Sequence, residues 1–345
     1  MHPMSRLQSV DFFRVLAIVA VIAIHTQPFS DGELGDELDA SVVANQVARF
    51  AVPFFFILAG FFWGRKVEEA RGAFAPTIST IKKLAIVFAA WSLIYLLPFN
   101  IVAALEHGPL GPVKSVYWNI SGALADPVDT LLRGTQYHLW FLPALISSFA
   151  TASIFVYYRK QSLLALTACL FFVIALLGSS YKTTPLGLAG SFDFTYGPFF
   201  SLIFFVTGYF LHIPQPTRPW LPVGVTTAVL GALLHSLEVY SLNSAWQASL
   251  APAYVLGTYF FGLGIALIAL SNRSMFNVGM TSSVGPLVLG IYASHIIFVE
   301  LLEPLDVLWR GDVLWSVSYV GLVFYLSLLL ARQLAKYPRT KILVS

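Results

Sequence analysis

A chain of 345 residues that is 57% hydrophobic and 11% charged, with a mean hydropathy of +0.77, carries too little polar surface for a soluble globular fold. It reads as an all-α polytopic membrane protein. The formal net charge of +3 says little by itself, because in a membrane protein the placement of charge outweighs its sum, and no nucleic-acid partner is expected. The single cysteine, Cys169, lies in an apolar run, which excludes internal disulfides and cysteine metal clusters and is read as packing.

Apolar runs of about 17–24 residues predict ten transmembrane helices near residues 9–28, 45–64, 82–105, 138–157, 162–179, 196–212, 219–237, 250–271, 284–303 and 313–333. The first run has no short apolar core followed by a small-residue cleavage site, so it is read as a retained span. Arg6, the Arg65, Lys66, Arg71, Lys82, Lys83 group, Arg159, Lys160, Arg218, Arg273 and the Arg332, Lys336, Arg339, Lys341 tail fall at alternate connections, which puts 14 of the 20 basic residues on one side. The opposite connections hold Asp31, Glu33, Asp36, Glu37 and Asp39, then Glu106, Asp126, Asp129, Asp193, Glu238, Glu303, Asp306 and Asp312. The positive-inside rule therefore predicts both termini in the cytoplasm, as an even number of spans requires. The chain, 1–345, is taken as a single membrane domain. Its longest connection, about residues 106–137 and rich in Gly and Pro from Gly108 to Pro112, is expected outside the cytoplasm as a loop or re-entrant piece over a cavity.

The first span holds the most informative residues. Asp11, Arg14 and His25 interrupt a run otherwise apolar enough for a bilayer, and an arginine at membrane depth costs about 2.5–3.5 kcal/mol, so it usually faces protein or an aqueous cavity. At about 100° per residue, the eleven steps from Arg14 to His25 bring both side chains onto one stripe about 16 Å apart along the axis. Asp11, three residues before Arg14, can pair with the guanidinium and ease its burial. Considered alone, Arg14 is equally a charge snorkelling to headgroups, and His25 an interfacial residue.

Later spans add polar groups. Arg49 opens the second within Arg49-Phe-Ala-Val-Pro-Phe-Phe-Phe-Ile-Leu-Ala-Gly60; Tyr137-His138-Leu-Trp140-Phe-Leu-Pro143 opens the fourth; Gly208-Tyr-Phe lies late in the sixth; the ninth holds Gly290-Ile-Tyr-Ala-Ser-His295 and then Glu300. Topology gathers His25, Arg49, His138 and Glu300 in the outer half of the membrane, with Arg14 on the inner side. A guanidinium there suits a large phosphate-bearing donor, and a histidine suits proton abstraction from an attacking hydroxyl. For Tyr137, His138 and Trp140 an interfacial aromatic belt stands as the alternative, for His295 a bond to a neighbouring helix, and for Glu300 a solvated helix end. No metal-ligand spacing, nucleophile elbow or phosphate loop is found, so no metal is expected.

Together, the Arg14–His25 spacing with Asp11, the Arg49–Gly60 stretch, His138-Leu-Trp-Phe-Leu and Gly290-Ile-Tyr-Ala-Ser-His resemble the acyltransferase-3 family of integral membrane O-acyltransferases, in order along nearly the whole chain. Within it the chain is most similar to the stand-alone bacterial members that acetylate surface polysaccharide. Ala59-Gly60 stands where many members have Ser-Gly, and Ala293-Ser294 where an aliphatic pair is common. The resemblance implies a multi-pass protein of the bacterial inner (cytoplasmic) membrane that moves an acyl group, expected to be acetyl, from cytoplasmic acyl-CoA to a hydroxyl of a carbohydrate or lipid-linked saccharide. It implies His25 as the essential histidine and Arg14 as its paired arginine, held by Asp11. Arg14, Lys82 and Lys83 are the expected contacts to CoA, although the lysine pair reads first as a topology signal. Arg49, Tyr137, His138, Trp140, His295 and Glu300 are the expected acceptor-side residues, with Arg49 or His138 stabilising the oxyanion. Direct transfer and an acyl-histidine intermediate both stay open, as does a homo-oligomer. The rival from another class is a secondary transporter or flippase that uses Arg14, His25, Arg49 and Glu300 as a substrate or proton path.

Overall fold

The computed structural model describes residues 7–30, 34–35, 37–213 and 220–344. Arg6, Asp31, Glu33, Asp36 and Arg218, which enter the charge pattern, lie outside the described residues.

Among the described residues the regular structure is all helical. In chain order the helices are α1 (Gln8–Thr26), α2 (Ala40–Ala48), α3 (Ala51–Ala70), α4 (Phe74–Ile94), α5 (Ile101–Leu105), α6 (Gly111–Ala125), α7 (Pro127–Arg133), α8 (Phe141–Tyr157), α9 (Gln161–Gly178), α10 (Pro198–Leu211), α11 (Trp220–Trp246), α12 (Leu256–Leu270), α13 (Gly279–Val284), α14 (Val288–Trp309), α15 (Val313–Lys336) and α16 (Pro338–Lys341). Eight helical segments among the described residues are long and apolar enough to cross a membrane; α2 joins α3 in one of them, and a 3₁₀ turn at Tyr137–Trp140 joins α8 in another. Two shorter apolar helices, α10 and α12, stand at the remaining two expected spans. At about 1.5 Å per residue neither reaches the ~30 Å of a bilayer core alone. Both pack against α3, so protein rather than lipid covers much of their flanks.

The third span is longer toward its start and shorter at its end than the expected 82–105. α4 begins at Phe74 and carries Lys82 and Lys83 within it, because lysine stems can lie along a helix while the ammonium reaches out. It stops at Ile94, short of Pro98, which has no amide hydrogen to continue a helix; Asn100 then caps α5 by accepting from the Ala103 amide at 3.0 Å. The 106–137 connection is largely helical rather than looped. Pro112 and Pro127 sit in the first turns of α6 and α7, where proline's fixed φ favours a helix start.

α1 is the central element, touching α2, α3, α12, α13, α14 and α15. It ends where Gln27 turns left-handed before Pro28. Around it, α3 and α10 pack backbone to backbone. A Cβ on Gly60 would lie 1.9 Å from the Phe205 carbonyl oxygen, and one on Gly208 would lie 1.8 Å from that of Ile57. These glycines permit a contact no other residue allows, which accounts for Gly208 near the end of its span. Trp63 fixes α3 to α4 through its indole N–H, which donates to Thr77 at 2.8 Å.

Candidate active site

Two cavities approach α1 from opposite ends of the bundle. The first, of about 480 Å³, is walled mainly by Phe55, Leu58, Phe62, Leu145 and Phe149, and carries Arg14, Lys66 and Lys83; this is the basic end. The second, of about 350 Å³, is polar, with His25, Tyr137, Glu300, Glu303, Asp306 and Arg310 in its lining; this is the acidic end. Arg14 and Val21 line the first and His25 the second, so the helical stripe expected from spacing runs from one cavity to the other.

At the basic end, the Arg14 guanidinium lies 3.5 Å from the Asp11 carboxylate, which is buried, and 5.1 Å above the Phe62 ring. Salt bridge and cation–π contact together fix the cation's direction while leaving it about a third exposed to the cavity. Gly285 backs this pair. A Cβ there would come within 2.5 Å of Asp11 Oδ1, so any larger residue would push the carboxylate out of place. Lys83 lines the cavity as expected; Lys82 is exposed and does not. Lys66, noted only as part of a basic cluster, joins the wall.

At the acidic end three histidines converge from three helical segments. The His25 ring lies 5.1 Å from His295, 6.5 Å from His138 and 5.2 Å from Tyr137, and His138 and His295 are 5.0 Å apart. Backbone carbonyls fix two of the rings. A carbonyl oxygen only accepts, so in the neutral rings His295 donates from Nδ1 to Tyr292 O at 2.6 Å, and His138 from Nε2 to Ala293 O at 3.3 Å. Their other nitrogens, His295 Nε2 and His138 Nδ1, are buried lone pairs with no hydrogen-bond partner among the described residues. An unpaired buried polar atom costs about 1–3 kcal/mol, so two of them against His25 single this cluster out as the candidate site. Tyr95 and Tyr292 complete the scaffold. The Tyr95 hydroxyl donates to Ala293 O at 2.8 Å, and that of Tyr292 donates to the His138 carbonyl. Tyr292 also lines the apolar cavity, so this one ring borders the histidine cluster and the basic-end chamber.

Glu300 lines the acidic-end cavity and accepts a hydrogen bond from the Gln136 amide. Tyr137 lines it as well. His138 is fully covered beneath it, and Trp140 packs among Phe56, Phe141 and Phe200 without reaching a cavity wall. Arg49 reaches neither chamber: its Nη2 donates to Ala251 O at 3.4 Å, and its Nε is buried without a partner among the described residues. Of the oxyanion donors expected from the sequence, His138 stands in the histidine cluster but in neither cavity wall, and Arg49 lines neither cavity.

Sequence reasoning passed over His235. Its Nε2 meets Gln46 Oε1 at 2.8 Å and its Nδ1 meets Thr258 Oγ1 at 3.0 Å, which ties α2, α11 and α12 together beside Arg49. On α11, Glu238 accepts from the amides of Leu256 and Gly257 and so caps α12. The available signal for His235 was the same as for His25, an ionisable residue inside an apolar run. Tyr292 and Gln136 had no comparable signal, since an aromatic or an amide near a span end is ordinary. Among the described residues, no group of three or more His, Cys, Asp or Glu side chains is arranged to hold a metal ion.

Comparison with known proteins gives one match over nearly the whole chain: the model of an acyltransferase domain, acyltransferase-3, covers residues 7–332. Among curated proteins, an amino-acid racemase of Enterococcus faecalis is 34% identical over 208 residues, which are 58% of this chain and 25% of that protein. A serine/alanine racemase of Enterococcus gallinarum is 30% identical over 177 residues, 50% of this chain and 23% of that protein. The chain thus spans about a quarter of the length of the curated relatives it matches. No solved structure matches it.

Proposed function

Since the chain belongs to the acyltransferase-3 family, we propose that this multi-pass membrane acyltransferase takes an acetyl group from acetyl-CoA on the cytoplasmic side and delivers it to a carbohydrate hydroxyl on the other side of the bacterial cytoplasmic membrane. The basic end is taken as the cytoplasmic face, in line with the positive-inside rule. The relatives' racemase names are not carried over, because the aligned part is a quarter or less of those proteins.

The observation that carries this reading is the pair of unlike chambers on either side of the His25 cluster. CoA is a phosphate-bearing head on a long, weakly polar arm. The basic-end cavity offers Arg14, Lys66 and Lys83 for such a head and aromatic and aliphatic walls for such an arm. The acidic-end cavity offers carboxylates and hydroxyls, the groups that hold a polyol.

In the proposed transfer, His25 accepts the proton of the acceptor hydroxyl as its oxygen attacks the thioester carbonyl. The new C–O bond forms, the C–S bond breaks, and the proton on His25 passes to the departing CoA sulfur, so the enzyme ends as it began. His295, its Nδ1 committed to the Tyr292 carbonyl, holds its ring 5.1 Å from that of His25 and so fixes one side of the cluster in which the proton moves. Asp11 and Phe62 hold Arg14 toward the donor.

The test is turnover of labelled acetyl-CoA by purified protein in liposomes. Wild type should consume acetyl-CoA, with His25→Ala slower by about 10²–10⁴-fold while eluting as a folded protein. Full activity in His25→Ala, or solute uptake by the vesicles with no need for any acyl-CoA, removes the reading.

A further inference from the structure

A third cavity opens beside the acidic-end chamber. It measures about 340 Å³ and lies under α5 and α6 and beside the end of α4. Its polar lining includes Asn100, Ser115, Asn119, Thr135 and Gln136, and the exposed indole of Trp118 stands edge-on to His107 at 5.0 Å. Glu300 belongs to both chambers. The partition between them consists of two amide–carboxylate contacts, Gln136 to Glu300 and Asn100 to Glu303, the latter at 2.9 Å. Among the described residues no lysine or arginine lines this third cavity and Glu300 is its one carboxylate; Lys114 stands at its edge, its ammonium donating to the His107 carbonyl at 3.3 Å.

This chemistry selects its occupant. A phosphate or carboxylate ligand would meet Glu300 with no lysine or arginine in the wall to offset it, the Lys114 ammonium being engaged at the edge by the His107 carbonyl. The wall's polar groups are held in place by protein partners, Asn119 by the Leu96 carbonyl, Ser115 by that of Gly111 and Thr135 by that of Ser92, and each keeps hydrogen-bonding capacity to spare. A neutral polyol suits such a wall. Its hydroxyls donate to and accept from Asn, Gln, Ser and Thr, and the C–H face of a sugar ring lies on an indole. Each chamber falls at the lower end of small-ligand pockets, which run to about 300–1,000 Å³, so each suits one short stretch of a saccharide.

Building on the acyl-transfer reading above, we propose that the acceptor site is bipartite: the reacting sugar occupies the chamber over His25, and a neighbouring unit of the same neutral glycan occupies the chamber of Trp118 and Asn119, the chain crossing at Glu300. The enzyme on this basis acylates oligomers of at least two units in preference to single sugars. Glu300 is the specificity residue where the two subsites meet, and Trp118 is the platform of the outer one.

The experiment uses the full-length protein in liposomes with labelled acetyl-CoA and equimolar neutral mono-, di-, tri- and tetrasaccharides of the gluco, galacto and manno series. The expected result is a trisaccharide-to-monosaccharide ratio of kcat/KM of tenfold or more, which collapses toward one in Trp118→Ala and in Asn119→Ala. Both residues are exposed, and both variants should elute as wild type does. Equal use of single sugars and oligomers, or an unchanged ratio in both variants, overturns the second subsite and leaves acyl transfer standing. Consumption of acetyl-CoA that depends on His25, with no saccharide acylated, overturns the glycan acceptor and the subsite with it. Failure of the wild type to turn over acetyl-CoA at all overturns the reading on which the subsite rests.

Discussion

The imidazoles of His25 on α1 and His295 on α14 lie 5.1 Å apart, and the second ring is oriented by a backbone carbonyl so that its unprotonated nitrogen is left without a partner. A structural histidine would normally satisfy both nitrogens, as His235 does with Gln46 and Thr258. The contrast separates the two kinds of buried histidine in this bundle and defines the first prediction. His295→Asn keeps an amide N–H near Nδ1 for the Tyr292 carbonyl but removes the Nε2 lone pair. It should match wild type in thermal stability yet lose about 10–100-fold in kcat, as small displacements in a site do, with KM for acetyl-CoA little changed. Full kcat in His295→Asn would reduce His295 to a helix-packing residue.

Arg14 is expected to act on donor binding. Removing a charged hydrogen-bonding partner costs about 1.5–3 kcal/mol, so Arg14→Ala should raise KM for acetyl-CoA about 10- to 100-fold. Arg14→Lys should recover part of that loss, since it restores charge without the guanidinium's flat fork over Phe62. Steady-state kinetics at saturating acceptor distinguish the two variants.

Gly285→Ala tests whether the Asp11–Arg14 geometry matters apart from the charges themselves. The added methyl would sit 2.5 Å from Asp11 Oδ1, and both ionic groups remain in the chain. The expected outcome is a rise in KM for acetyl-CoA in the direction of Arg14→Ala. An unchanged KM would mean that the carboxylate shifts without consequence.

Gly208→Val addresses the α3–α10 contact. With a carbonyl oxygen 1.8 Å from the new Cβ, the helices must separate, at a cost of about 3 kcal/mol or more. The protein should unfold several degrees earlier in a detergent melt, whereas Gly122→Val, where a Cβ meets nothing within 4 Å, should not.

One pH effect is expected outside the membrane. Asp39 caps α2, and hydrogen bonds from the Ser41 hydroxyl and the Val42 amide hold its carboxyl below the usual carboxylate range. A depressed folded-state pKa contributes stability above the unfolded value, and that contribution fades as pH falls through the folded one. Asp39→Ala should therefore melt slightly earlier than wild type at neutral pH, and the difference should shrink below about pH 4. A gap that is constant with pH would assign the effect to something other than the ionised cap.

The polar residues at the two ends of α1 were legible in the sequence because such residues are expensive in an apolar run. Arg14, Asp11 and His25 stand out in an apolar run, and helical periodicity alone put Arg14 and His25 on one stripe. Charge alternation placed His25, Arg49, His138 and Glu300 toward one end, and the structure brings the His138 ring within 6.5 Å of His25 and puts Glu300 in the lining of the His25 cavity. Side-chain direction was not legible. Lys82 and Lys83 are adjacent, yet only Lys83 turns into the cavity, and Arg49, alike in kind to Arg14, points to the Ala251 carbonyl instead. The 106–137 connection, expected as a loop or re-entrant piece over a cavity, lies over one but is largely helical, because its prolines also start helices, as Pro112 and Pro127 do here. Which of these pieces would roof a third chamber depends on contacts between α4, α5 and α6 that no local pattern encodes.

The basic-end and acidic-end chambers share no wall residue, and that separation has an electrical meaning. If water fills both chambers of the membrane-embedded protein, each carries the bulk potential of its own side inward, and a membrane voltage then falls mainly across the layer of His25, Tyr292 and His295. A full 100 mV acts on one elementary charge with about 2.3 kcal/mol. In the proposed transfer a proton on His25 would stand inside that field, so a voltage imposed across the liposome membrane would change the rate of acyl transfer.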